Sequence, residues 1–99
     1  MIVVTGRFRL PPERIGEALL AMAKVIAASR AEPGCREYAY AEDITERGLF
    51  RVHEEWDDLP ALRTHFATQH MREWQAVRDA LGFHDRAVSA FEAGAETPL

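Results

Sequence analysis

A single cysteine, Cys35, stands among the 99 residues, so no disulfide can staple the chain from within. Basic residues are in the minority, twelve against sixteen acidic, for a net charge of −4. Arg30, Arg36, Arg47 and Arg51 do not form one run. A general nucleic-acid binder needs a basic face to displace counterions, so no nucleic-acid partner is expected. No apolar run approaches the ~18–20 residues that span a bilayer. The opening MIVVTGRF lacks a charged segment ahead of a long apolar one, so no signal peptide is read there. No membrane association and a cytoplasmic location are the expectations. The chemical signatures are equally thin. There is no GxGxxG, P-loop or CxxC, and no GxSxG. His53-Glu54-Glu55 runs into Trp56 and makes no HExxH. No cofactor is therefore expected.

The composition, 47% hydrophobic and 28% charged, is that of an ordinary globular domain. One domain over residues 1–99 is expected. A domain this small buries only about 60–65% of its unfolded surface, so association with a second copy would help it. Residues 2–10 alternate, with Ile2, Val4, Gly6, Phe8 and Leu10 on one face, which predicts a strand ended by Pro11-Pro12. From Glu13 to Arg30 the period becomes helical, with Ile15, Leu19, Met22 and Ile26 as the apolar stripe, widened by Ala18 and Ala23. Pro33-Gly34 stops that helix. Residues 35–44 and 49–56 alternate again and predict an antiparallel hairpin. On the second of these strands Phe50, Val52, Glu54 and Trp56 share a face.

Asp57-Asp58 with Pro60 predicts a capped helix, and Thr68 offers a second start inside it. Met71, Trp74, Val77 and Leu81 point inward, and Gly82 ends the run. Residues 83–91 predict the last strand, and 93–99 a frayed tail. The order β-α-β-β-α-β is the ferredoxin-like split arrangement. It predicts an α+β fold with a four-stranded antiparallel sheet and helices on one face only. The opposite face carries Thr5, Arg7, Arg51, His53 and Glu55 and is left for water or a partner.

Aromatic and imidazole side chains are dense between Glu32 and Trp74. If Tyr38 and Tyr40 face the helices with Phe8, Phe50 and Trp56, the space between the layers is lined with rings. Such a space suits a flat, hydrophobic ligand. Trp56 and Tyr38 read either as pocket walls or as core, and Trp74 reads first as core. His65 lies beside the stripe of Leu59, Leu62 and Phe66. An imidazole there can take a proton near neutral pH. His65 and His70, five residues apart, sit about 140° apart on a continuous helix. They share a ligand face only if the helix breaks near Ala67-Thr68, and no metal site is expected. Glu54 is a charge on an inward face, with Arg63 or Arg72 as candidate partners. Cys35 reads as a small buried hydrophobe.

The segments EPGC-x-x-Y (Glu32 to Cys35, Tyr38), F-x-V-x-E-x-W (Phe50, Val52, Glu54, Trp56) and L-x-x-H-x-x-x-x-H (Leu62, His65, His70) resemble the antibiotic biosynthesis monooxygenase (ABM) domain family. The resemblance runs from Ile2 to about Phe91. It implies a homodimer in which two sheets pack as an α+β barrel. It also implies a monooxygenase that oxidises a small aromatic, quinol-type substrate with O2, without metal or flavin. Mapped onto this chain, His65 is the expected base, with Tyr38 and Trp56 as ring positioners. Phe8, Tyr40, Phe50, Val52, Phe66, His70 and Trp74 complete the expected substrate-binding set. The pattern departs at two places. The haem-degrading branch has Asn where Gly6 stands, and the polyketide oxidases have Asn where Val52 stands. The remaining branch, acting on phosphorylated sugars, finds no phosphate site here. A ligand-binding or scaffolding dimer without turnover is the alternative that uses the same pocket.

Overall fold

Alternating and helical stretches follow one another along the chain, and the computed structural model, which describes all 99 residues, Met1–Leu99, turns each into an element. Strand β1 spans Ile2–Arg9, and a 3-10 turn at Pro12–Arg14 leads into helix α1, Ile15–Arg30. Strands β2 (Cys35–Glu42) and β3 (Leu49–Trp56) form the hairpin. Two short helices follow, α2 (Leu59–Phe66) and α3 (Gln69–Ala80), and then β4 (His84–Glu92). The sheet is antiparallel throughout, in the order β2-β3-β1-β4. This is the ferredoxin-like α+β fold with its second helix in two pieces. None of the helices is long and apolar enough to cross a membrane.

The pleat selects the core. Ile2, Val4 and Phe8 of β1, with Phe50, Val52, Glu54 and Trp56 of β3, all point toward the helices and are buried. Against them α1 presents Ala18, Met22, Val25 and Ser29, a stripe with the expected spacing but turned from the expected one. Leu19 is 54% exposed and Leu20 more so. Both stripes satisfy helical periodicity; the fully buried one carries Ala18 and Ser29, whose small side chains let the helix backbone lie close to the sheet. The bulky aliphatics are left on the flanks.

The helix pair that follows β3 is set by side-chain caps. Asp58 accepts from the Ala61 N–H at 2.9 Å. Thr68 Oγ1 receives the Met71 N–H at 3.4 Å and donates to the His65 carbonyl at 2.7 Å. Each such cap contributes about 1 kcal/mol. Thr68 thus closes α2 and opens α3 at one residue. The turn after α1 needs Gly34, at φ +84°, where an added Cβ would come within 2.8 Å of Ala61 Cβ.

The sheet's other face carries Thr5, Arg51 and His53 in the open, and His53 Nε2 lies 2.9 Å from Glu55 Oε2. Strand β4 buries little beyond the half-buried Val88. It is held by pairing with β1 and by Asp85, which receives Arg7 and Arg9.

Gly6 pairs with Val88 across the β1–β4 ladder. A Cβ there would overlap the Ala87 carbonyl oxygen and lie 2.6 Å from Val88 Cα. Backbone cannot yield as a flexible side chain can, so Gly6→Ala should destabilise the fold by about 2–3 kcal/mol. Urea denaturation would check this, with Gly16→Ala, which meets open space, as the tolerated counterpart.

Candidate active site

Between the sheet and α3 the inward rings enclose a small cavity. Its walls are Phe8, Tyr38 and Tyr40, Val52 and Glu54, Phe66, Met71, Trp74 and Arg78, and Arg86 and Val88. Every strand and both short helices contribute. The enclosed void is about 20 Å³, room for about one water molecule. The rings fix one another. Phe8 meets Tyr40 edge-on at 5.3 Å, and Tyr40 stacks on Trp74 at 5.9 Å. Such pairs contribute about 0.5–1.5 kcal/mol each beyond their burial.

The polar groups in this wall are few. Glu54 is only 6% exposed, and its Oε1 accepts from Trp56 Nε1 at 2.9 Å. Burial pushes its carboxyl pKa up, opposed by the Trp56 N–H and by the charge of Arg86. No cation lies within ion-pair distance of it. The Tyr38 and Tyr40 hydroxyls are 2.7 Å apart. Burial raises both phenols, Tyr40 to about 12, so both remain proton donors at neutral pH. Arg78 and Arg86 make no ion pair with any carboxylate. Burial, and then repulsion from Arg86, lowers the Arg78 pKa.

A second cluster sits behind these walls. Because α2 ends at Phe66 and α3 starts at Gln69, His65 and His70 turn to the same side. Glu32 Oε2 accepts from His65 Nδ1 at 2.6 Å and from His70 Nε2 at 2.8 Å. The His65 ring is fully buried against Trp56, centroids 4.7 Å apart, and Tyr38, at 5.4 Å. Its Nε2 has no partner. Burial lowers its pKa, and the neighbouring Glu32 carboxylate opposes that.

Of the residues expected at the site, Phe8, Tyr38, Tyr40, Val52, Phe66 and Trp74 meet at the cavity. Phe50 stacks on Phe8 at 5.5 Å, away from the void. Trp56 and His65 form a second row behind Tyr38 and Glu54. His70 faces a separate cleft of about 70 Å³ between α1 and α3, on the other side of Trp74. Glu54, Met71, Arg78, Arg86 and Val88 complete the wall without having been singled out as site residues. Glu54 was the one with a sequence signal, a charge at an inward position. Its partner is the Trp56 N–H and neither Arg63 nor Arg72; Arg72 instead donates to the Ala67 carbonyl and to Gln69. Cys35 is half-buried, with Sγ 3.7 Å from the Glu37 carbonyl oxygen.

The family model described as "Antibiotic biosynthesis monooxygenase" matches residues 1–77. The chain is 37% identical over 73 residues to "Uncharacterized protein sll1783" of Synechocystis sp., covering 74% of this chain. It spans about half of that relative's length, 50%. It is 32% identical over 76 residues to "Putative monooxygenase YcnE" of Bacillus subtilis, covering 77% of this chain and 80% of that one. Among solved structures it superposes, with a TM-score of 0.94 and 27% identity, on "a putative antibiotic biosynthesis monooxygenase" from Deinococcus radiodurans; 100% and 98% of the two chains are covered. Rv0793 from Mycobacterium tuberculosis gives 0.85 and 25%, with 98% of both chains covered.

A buried carboxyl whose pKa is raised costs stability once it ionises. The folded state holds its proton to higher pH than the unfolded chain does. That contribution is therefore most favourable below the unfolded value, about 4.3, and is lost as pH rises through the folded value. Glu54→Gln keeps an oxygen for the Trp56 N–H and removes the charge. It should raise the Tm at pH 7 by about 2–5 °C and leave it nearly unchanged at pH 4, as read by scanning calorimetry at both pH values.

Proposed function

The chain belongs to the antibiotic biosynthesis monooxygenase family, and from that premise we propose that it oxidises a small phenolic, quinol-type aromatic with O2, with Glu54 as the base. The observation that carries this reading is the Glu54 carboxylate, buried in a ring-lined cavity and paired with no cation. A carboxylate withdrawn from water and held in no ion pair is a stronger base than one in solvent. The neighbouring side chains suit the charge that develops. Tyr38 and Tyr40 hold O–H donors in the same wall, and Arg78 and Arg86 bring unpaired positive charge. Donors of this kind stabilise an oxyanion most effectively where water is excluded.

The steps balance without an added reductant. Glu54 takes the phenolic proton, and the phenolate passes one electron to O2. The phenoxyl and superoxide radicals join at a ring carbon ortho or para to the oxygen that carries a hydrogen, and the proton held by Glu54 returns to the peroxide to give a hydroperoxide. Loss of water leaves a carbonyl there. One oxygen atom of O2 enters the quinone, the other leaves as water, and the substrate supplies every electron. His65, expected as the base, acts in this reading one row back, supporting the Trp56 ring whose N–H holds Glu54. The void accommodates one water as it stands, while ligand sites run to about 300 Å³ or more. Binding therefore begins with outward movement at the mouth, where Phe66 is 53% exposed. The exposed sheet face is the surface through which a homodimer would form.

Oxygen uptake by the metal-free protein with a panel of phenols and anthrones that carry hydrogen at that carbon tests this. Protein-dependent uptake should fall at least ~100-fold in Glu54→Gln. Because the ionised carboxylate is the active form, activity should appear only above a pKa raised from the ordinary ~4.3. Trp56→Phe removes the N–H that favours the ionised form and should move that rise to higher pH. Full turnover in Glu54→Gln with loss in His65→Ala would put the base in the second row instead. Uptake no greater than autoxidation across the panel would leave a binding role in place of the reaction.

A further inference from the structure

The Glu32, His65 and His70 cluster supplies no reacting group to that chemistry. We propose that these three side chains form a binding site for a divalent d-block cation, with Zn2+ the ion the donors suit best. Two imidazole nitrogens and one carboxylate oxygen are a borderline donor set of the kind zinc takes. Hard cations such as Mg2+ and Ca2+ prefer oxygen throughout.

The geometry is that of a chelate closed on itself. His65 Nδ1 and His70 Nε2 both converge on one oxygen, Glu32 Oε2, rather than taking one oxygen each. The donor atoms of the three residues all lie within 4.8 Å of one another. Around a tetrahedral ion with bonds of ~2.0–2.1 Å, neighbouring donors stand about 3.3 Å apart. The present separations of 2.6 and 2.8 Å need to open by roughly 0.5–0.7 Å, within reach of small side-chain rotations.

Burial is graded as an ion site requires. The His65 side chain is 1% exposed, Glu32 10% and His70 20%. Two ligands are thus anchored in dry surroundings, and the outer edge leaves a position for water. A surface groove lined by Glu32, Asp57, Asp58 and Thr64 adjoins it, an acidic approach for a cation. The ligands come from three segments: the turn after α1, the end of α2 and the start of α3. An ion there would tie the Pro33-Gly34 turn to the helix break.

The chain also carries a control. Glu37, His53 and Glu55 offer the same donor types on the open sheet face, where His53 is exposed and no ligand is held in a dry wall. Chelator-stripped protein would be titrated with ZnCl2 by calorimetry and with CoCl2 by visible absorption. One ion per chain is expected, with four-coordinate Co2+ bands and a zinc-dependent rise in Tm. His70→Ala, at a partly exposed position, and the near-isosteric Glu32→Gln should each weaken binding by ~10–100-fold and remove the Tm response. His53→Ala should leave all three readouts unchanged. No saturable binding, binding that survives both cluster variants, or binding that moves with His53 would overturn the proposal. The oxygen-uptake assay uses metal-free protein, so either idea can fail without the other.

Discussion

The pleat of β3 leaves Glu54 no choice of side. Phe50, Val52 and Trp56 are the side chains by which this strand holds the helices, and a period of two puts residue 54 on their face. A one-residue slip would expose all four and bury Arg51, His53 and Glu55 instead. Pairing on both flanks, to β1 and to β2, forbids it. The protein therefore carries a carboxylate inside its core as a condition of having that core. The surroundings are arranged accordingly. The Trp56 N–H two residues on supplies the hydrogen bond, and the rings of Tyr38, Tyr40 and Trp74 close off water. No lysine or arginine lies within ion-pair distance of the carboxylate, and only the charge of Arg86 across the cavity opposes the effect of burial. A stability-driven sequence would place an apolar residue at 54, since an unpaired buried charge is among the costliest features a core can hold.

The second constraint is the interruption at Ala67-Thr68. A continuous helix would splay His65 and His70 apart. Thr68, by capping both directions, folds them onto Glu32 instead. The same cluster anchors the Glu32-Pro33-Gly34 turn against α2, and that turn is where β2 begins its approach to the cavity. The position of Tyr38 in the wall is thus coupled to hydrogen bonds formed well outside it. His65 is in this way linked to the cavity wall without touching the void.

Much of this was legible in the residues. Alternation and helical period gave every element, with β3 matched at both ends, and the caps at Asp58 and Thr68 marked the helix starts. The aromatic walls followed from which face each ring occupied. The α1 stripe was misplaced because periodicity fixes the spacing of a face and leaves its phase open. Ala18 stood at the edge of the expected stripe, whereas Ser29, which also lies against the sheet, looks neutral in a hydrophobic pattern. Arg78 and Arg86 were invisible for another reason. They lie on α3 and β4, eight residues apart, and only the crossing of those two elements brings them to one opening. The convergence on Glu32 required the helix break, which the sequence offered at Thr68 without showing what it would assemble.

Gly6 and Val52 bear on which chemistry of the family this cavity can host. The resemblance implies an asparagine at one or other position in two branches of the family. This chain contains no asparagine anywhere. At position 6 the backbone of β4 fills the space where any side chain would start, so the amide is excluded by packing as well as by identity. At position 52 the valine presents an apolar wall between Glu54 and Tyr40. The polar work in this cavity therefore falls to the groups that remain: one carboxylate, two phenols and two guanidiniums. Of these, only the carboxylate can accept a proton at neutral pH. The phenols are held protonated by burial, and guanidiniums have no lone pair to offer. In the proposed reaction, proton removal by a residue lining the void therefore falls to Glu54.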